Sequence, residues 1–437
     1  MNRMIKPLFA VLMLLGSAGL PAHPLLPGEQ REGPLLLRGG VIHTISGATL
    51  DNADVLIVDG RIQAVGSELE LPEGGEVLEL EGRHVYPGLI ALDTTLGLVE
   101  ISAVRATRDF AEVGDFSPEV QAHVAFNTDS ELIPVVRANG ITHAQSVPQS
   151  GLVSGRSSLM HLDGWHWEDA LVSADNGLHL RWPRIAAPQP FFGMGGSGDG
   201  LAERAERQRR EIDQYLKRAR GYHQQRESDE STRRDESLEA MRGVFAGDTR
   251  LFIHADELRQ IEQALRLARA HGLDFTLVGG RDAWRVAEQL AEAGVDVIYN
   301  ASFGMPIRTD DGYDQAFVAP KLLADAGVRV ALAYTGSWDI RNLPFAAGYL
   351  VTHGLERDQA LAMITRHPAS ILGLEQELGA IEPGLSASLV ITSGDLLDYR
   401  GHPVEAMFID GRFVDLDNRQ RALYRKYGQR IDAASGD

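Results

Sequence analysis

The sequence predicts an α/β protein: a (β/α)8 TIM-like barrel with a small β-sandwich domain formed by both chain ends. Three observations carry this expectation. Residues 35–85 consist of short strand-like runs (LLLRGGVIHT, DVLIVDGRIQAVG, EVLELEGRHV) broken by Gly, Asp and Asn, with no helical period. Near the other end, ASLVITSGD and PVEAMFIDGRFV have the same texture. Between them, strand-like text alternates with helical text: LFIHADE then LRQIEQALRLARAHG, DFTLVGG then DAWRVAEQLAEAG, VDVIYNAS then FVAPKLLADAG. Regular alternation of this kind argues for a parallel sheet with helices outside, most simply a closed barrel.

The boundaries follow from these textures. Residues 31–86 together with 374–416 form the composite β domain, 87–373 the barrel, and 417–437 a basic terminal helix or tail. A highly charged segment at about 200–245 interrupts the barrel rhythm and reads as a solvated helical insertion. The Gly-rich text before it, FFGMGGSGDG, has neither a preceding strand nor phosphate-loop spacing, so a plain loop is expected.

Residues 1–22 have the order of a secretory signal. Arg3 and Lys6 form a basic head, Pro7 to Leu15 is apolar and uncharged, and Gly16 to Gly19 are small. The expectation is export, to the periplasm in a Gram-negative bacterium, with cleavage after Ala18 or Ala22. The apolar run is shorter than the roughly 20 residues that span a bilayer. The chain contains no Cys, so no lipid-anchored cysteine follows.

The formal charge of −19 sets the sequence against nucleic acid and anionic membranes as partners. A small-molecule substrate or ligand is the partner expected. Lysine occurs only at Lys6, Lys217, Lys321 and Lys426.

Two stretches resemble a known family. Gly60-Arg61-Ile62-Gln63-Ala64-Val65-Gly66 followed by Gly82 to Leu96, and later HPASILGLEQELGAIEPGLSASLVITSGDLLD, are similar to signatures of the amidohydrolase superfamily. The likeness is to its imidazolonepropionase-like and prolidase-like branch. It implies hydrolysis of amide-like C–N bonds with one or two divalent ions at the carboxyl-terminal mouth of the barrel. That family supplies an H-x-H pair, sometimes a carboxylated Lys, two later His and a final Asp.

Most of these ligands are replaced here. The H-x-H pair falls on Asp93 and Thr95; the first later His is His254; the second falls among Val278, Gly279 and Gly280. The final Asp position is Gly336, with Asp339 three residues on, and no Lys lies between Lys6 and Lys217. The resemblance therefore implies at most one divalent metal ion, zinc or similar, with His254, Asp93 and Asp256 as metal ligands and His254 and Asp339 as catalytic residues. A catalytic zinc needs three protein ligands, and spacing alone supplies no geometry. The plainer alternative for His254 is a hydrogen-bonded remnant at the barrel mouth.

The residues themselves offer one further pocket. His161, Trp165 and His166 cluster in HLDGWHW; they line a substrate pocket or pack a loop. Arg105 holds a charged substrate group or pairs with neighbouring acids. Ser154 lies outside any G-x-S-x-G elbow. Two functions stay open: an amidohydrolase-type hydrolase with a reduced metal site, or a catalytically inactive periplasmic binding or regulatory module.

Overall fold

The computed structural model describes residues 25–185, 200–309, 311–400 and 403–435. The expected signal segment and the Gly-rich text at 191–199 lie outside these residues.

The β domain begins with strands β1 (Leu35–Ile42), β2 (Leu50–Val58), β3 (Arg61–Gly66), β4 (Glu76–Glu79) and β5 (His84–Pro87). Strands β14 (Leu389–Thr392), β15 (Val404–Ile409) and β16 (Arg412–Phe413) complete it from the far end of the chain. All eight join one hydrogen-bonded sheet, ordered β16-β15-β14-β5-β1-β2-β3, that forks at β1. The first half of β1 pairs with β4 and its second half with β5. Alternating apolar residues such as Leu35, Leu37, Val55 and Ile57 meet Ile381, Leu389 and Phe408 in the domain's core.

One residue, Gly88, joins β5 to the first barrel strand. A Cβ there would stand 2.2 Å from Thr142 Oγ1, so only glycine lets the two strands pass. The join is locked by Gly88 N donating to Ser388 O at 2.7 Å, which ties both chain ends to the barrel.

The barrel sheet contains β6 (Leu89–Thr94), β7 (Ile141–Ser146), β8 (Val153–His161), β9 (Leu171–Arg181), β10 (Arg250–Ala255), β11 (Phe275–Gly279), β12 (Val297–Tyr299) and β13 (Val330–Leu332). They lie in sequence order, and a parallel bridge between Leu92 and Ala333 brings the two edges together. Ile90, Leu92, Leu159, Phe252, Val278, Ile298 and Ala331 fill the interior.

Two features differ from the sequence expectation. Strand β8 runs antiparallel to both neighbours, so a meander replaces two strand–helix units. The connections at 147–152 and 162–170 are too short for a parallel crossover, which takes about a dozen residues or more. The charged segment, in turn, is no appendage. Its helix Leu201–Ser228 is the crossover between parallel neighbours β9 and β10. Ile212, Tyr215, Leu216, Ala219 and Tyr222 form a stripe at helical spacing that packs into the barrel's outer core. Among the described residues, no helix is long and apolar enough to cross a membrane.

Candidate active site

Period-2 alternation decides which side chains enter the barrel mouth. On β9, Leu178 and Leu180 face the outer core, so His179 and Arg181 face inward. On β10, Phe252 lies in the interior core and His254, two residues on, shares its face. Alternation from Ile90 and Leu92 would turn Asp93 outward. Instead Asp93 takes φ 52°, and the pairing of β6 with β7 slips between Ala91 and Thr94. This irregularity re-aims the carboxylate into the mouth.

Asp93, His179 and His254 offer ligand atoms that all lie within 4.8 Å of one another. His254 Nδ1 is 3.9 Å from Asp93 Oδ1, and His254 Nε2 is 2.8 Å from His179 Nδ1. Asn300 Nδ2 and Thr335 Oγ1 donate to Asp93 Oδ2 at 3.1 and 3.2 Å and fix that carboxylate. Arg181 Nη1 lies 3.4 Å from His254 Nδ1; its Nε donates to Ser154 Oγ at 3.2 Å and its Nη2 to Pro148 O at 3.1 Å. Since a guanidinium only donates, His254 Nδ1 accepts, and neutral His254 carries its proton on Nε2, toward His179.

Burial governs the charges. It pushes Asp93 up to about 6, against the pull of Arg181 and the hydrogen bonds from Asn300 and Thr335. Burial, assisted by the Arg181 charge, holds His179 and His254 well below the usual imidazole range. Both rings are therefore neutral at neutral pH, the form that ligates metals. Two buried polar atoms of the cluster, Asp93 Oδ1 and His179 Nε2, have no hydrogen-bond partner. Unsatisfied buried atoms of this kind are costly, and a cation explains the carboxylate oxygen directly. One carboxylate and two neutral imidazoles match the minimum set of a catalytic zinc site, and an ion that took His179 Nδ1 would do so at the expense of the hydrogen bond from His254 Nε2.

The sequence profile of the Amidohydrolase family matches residues 182–418, more than half of the chain. The chain belongs to the amidohydrolase family. Its curated relatives include the amidohydrolase tasK of Hapsidospora irregularis, 24% identical over 90% of this chain and 45% of the relative. Adenine deaminase 3 of Rhizobium meliloti (strain 1021) is 24% identical over 88% of this chain and 58% of its own. The chain thus spans about half the length of the curated relatives it matches. Among solved structures, an amidohydrolase from Thermotoga maritima MSB8 superposes with a TM-score of 0.76 at 24% identity, covering 87% of this chain and 99% of that one. A prolidase complexed with N-methylphosphonate-L-proline gives 0.55 at 16% identity, over 87% and 99%. Both likenesses concern the fold.

Of the residues singled out in the sequence, the structure brings Asp93 and His254 together. Asp256 follows β10 and lies outside the three-residue cluster, although its charge acts on Asp93. Asp339 sits exposed at the start of the turn Asp339–Asn342. Arg105 lies in an exposed turn, Arg105–Thr107.

His161, Trp165 and His166 lie at the opposite end of the barrel, because antiparallel β8 ends where β7 begins and His161 pairs with His143. There His161 Nε2 bonds Asp169 O at 2.6 Å, Trp165 is 65% exposed, and His166 Nδ1 caps the turn Trp167–Ala170 by accepting from Glu168 N.

The residue that the sequence reading passed over is His179. Its signal was the alternation Leu178-His179-Leu180-Arg181, which places two polar side chains on the inner face at the end of the strand, where Gly177 to Leu180 are buried.

Proposed function

We propose that this protein is an exported hydrolase of C–N bonds that works with one divalent ion held by Asp93, His179 and His254. The convergence of those three donors at the barrel mouth is the observation that carries the reading. When bound, such an ion supplies Lewis acidity toward water and a substrate carbonyl.

The remaining roles belong to the chain. Asn300 and Thr335 hold Asp93 Oδ2 and leave Oδ1 for the ligand role. Ser154 and Pro148 hold Arg181 beside His254 Nδ1. Asp93 and His179 have no solvent exposure, and His254 is partly exposed. The substrate class is a small amide, cyclic ureide or dipeptide-like compound. In support, the adenine deaminases and the prolidase among its relatives carry names of C–N bond-cleaving enzymes.

The test is metal content and turnover together. Protein dialysed against zinc is expected to retain close to one ion per chain, and a panel of N-acyl amino acids, dipeptides and purines to include a substrate. His179→Ala should lose both the ion and at least 99% of the turnover. Retention of two tightly held ions, or turnover indifferent to His179→Ala, would refute the ligand assignment. One observation favours a second reading, an inactive binding module: the enclosure of Asp93 and His179. Failure of the whole panel with metal loaded would favour it.

Export is part of the proposal. Secreted protein should begin at residue 19 or 23 by amino-terminal sequencing; a mature chain retaining Met1 would overturn that part alone.

A further inference from the structure

The geometry points to Arg181 as a built-in competitor for the metal ion, its guanidinium and the cation contending for the same nitrogen of His254. This inference rests on the single-ion reading above.

The argument begins with which nitrogen faces which group. His254 has two: Nε2 is engaged by His179 at 2.8 Å, and Nδ1 is the one that approaches Asp93 Oδ1, at 3.9 Å. An ion shared by Asp93 and His254 through their facing atoms would use the Nδ1 lone pair. Arg181 Nη1 points at that same lone pair from 3.4 Å. A nitrogen lone pair serves one partner at a time, so the hydrogen bond and the coordinate bond exclude each other.

The guanidinium is also held in place. Its Nε and Nη2 are tied to Ser154 on β8 and to Pro148 in the β7–β8 connection. An arginine does not yield by losing its proton, so it gives way only by moving, at the cost of those bonds.

Charge points in the same direction. Asp93 is the one carboxylate of the cluster, and the Arg181 charge already acts on it. A divalent ion added beside it would leave two positive charges uncompensated where Asp93 is fully buried. Asp256, whose charge also acts on Asp93, lies outside the cluster.

The test is zinc binding by the full mature chain at pH 7.5, read by competition with a chromophoric chelator. Arg181→Met removes the charge and the hydrogen bond but keeps much of the volume, and is expected to bind one zinc at least tenfold more tightly than the parent. Arg181→Lys keeps the charge without the planar fork and should fall between the two. If Arg181→Met fails to fold by circular dichroism, Arg181→Gln takes its place with the same expectation. Equal or weaker binding by the charge-removing variant overturns the inference while leaving the ligand set intact, provided the parent binds one zinc and His179→Ala does not. No binding by any of the proteins overturns both.

Discussion

Gly279 shows how one missing side chain shapes the site. It stands among the three positions where the family pattern places a second histidine, and its φ of 98° is one that L side chains rarely adopt. A Cβ there would lie 2.6 Å from Asp256 Oδ1 and 3.2 Å from Ala255 O. Asp256 has in effect grown into the space a ligand would need. Gly279→Ala is therefore expected to lower stability by about 1–3 kcal/mol, from backbone strain together with overpacking. The reading is the urea midpoint at constant m-value; an unchanged midpoint would mean that Asp256 moves aside freely. The same residues show what the sequence disclosed of the site. Asp93 and His254 stood out because motif text surrounds them. His179 did not, since a lone histidine in a strand gains meaning only once the mouth end of that strand is known. Arg181 was invisible for the same reason, and the inward turn of Asp93 depends on a bulge that leaves no mark on composition.

The elements were legible where period and punctuation agreed. The unit from β10 through the helix Leu258–His271 to β11 was plain in the text, and its joint is well built. Gln260 Oε1 accepts from the backbone N–H groups of Asp256 and Glu257 at 3.2 and 3.0 Å, and its Nε2 donates to Pro183 O at 3.0 Å. These bonds satisfy the turn that directly follows His254 and clamp it to the end of β9, so the two histidine-bearing strands are held in register by one buried amide. Two other elements misled the reading. Strand direction is not written in a strand's own residues, and the antiparallel sense of β8 follows only from its short connections. The helix Leu201–Ser228 carries so many charges that its apolar stripe, one residue in three or four, is diluted below notice.

For the molecule as a whole, the decisive feature is how many histidines are folded in neutral. Among the described residues, His43 and His143 are lowered to about 4, and His123, His161, His179, His254 and His367 are also lowered, in every case with burial as the largest cause. A lowered folded-state pKa means that between about 4 and 6.5 the unfolded chain binds protons that the folded chain refuses. Stability is thus fully present above pH 6.5 and is lost as pH falls through that window, by about 1.4 kcal/mol per pH unit for each proton taken up on unfolding. The buried carboxylates of Asp93 and Asp163, pushed up to about 6, and of Asp296, also raised, work in the opposite sense. They gain stability as pH falls, but the histidines outnumber them. Self-repulsion at a formal charge of −19 also eases on acidification, and salt separates that contribution because it screens surface charge and leaves buried imidazoles untouched. In 0.5 M sodium chloride with a chelator present, the urea midpoint is therefore expected to fall steadily from pH 7 to pH 5. A midpoint that holds level or rises over that interval would show that the folded protein, at its buried carboxylates or at the rings themselves, takes up as many protons as the unfolded chain, and would overturn the account in which the buried histidines dominate.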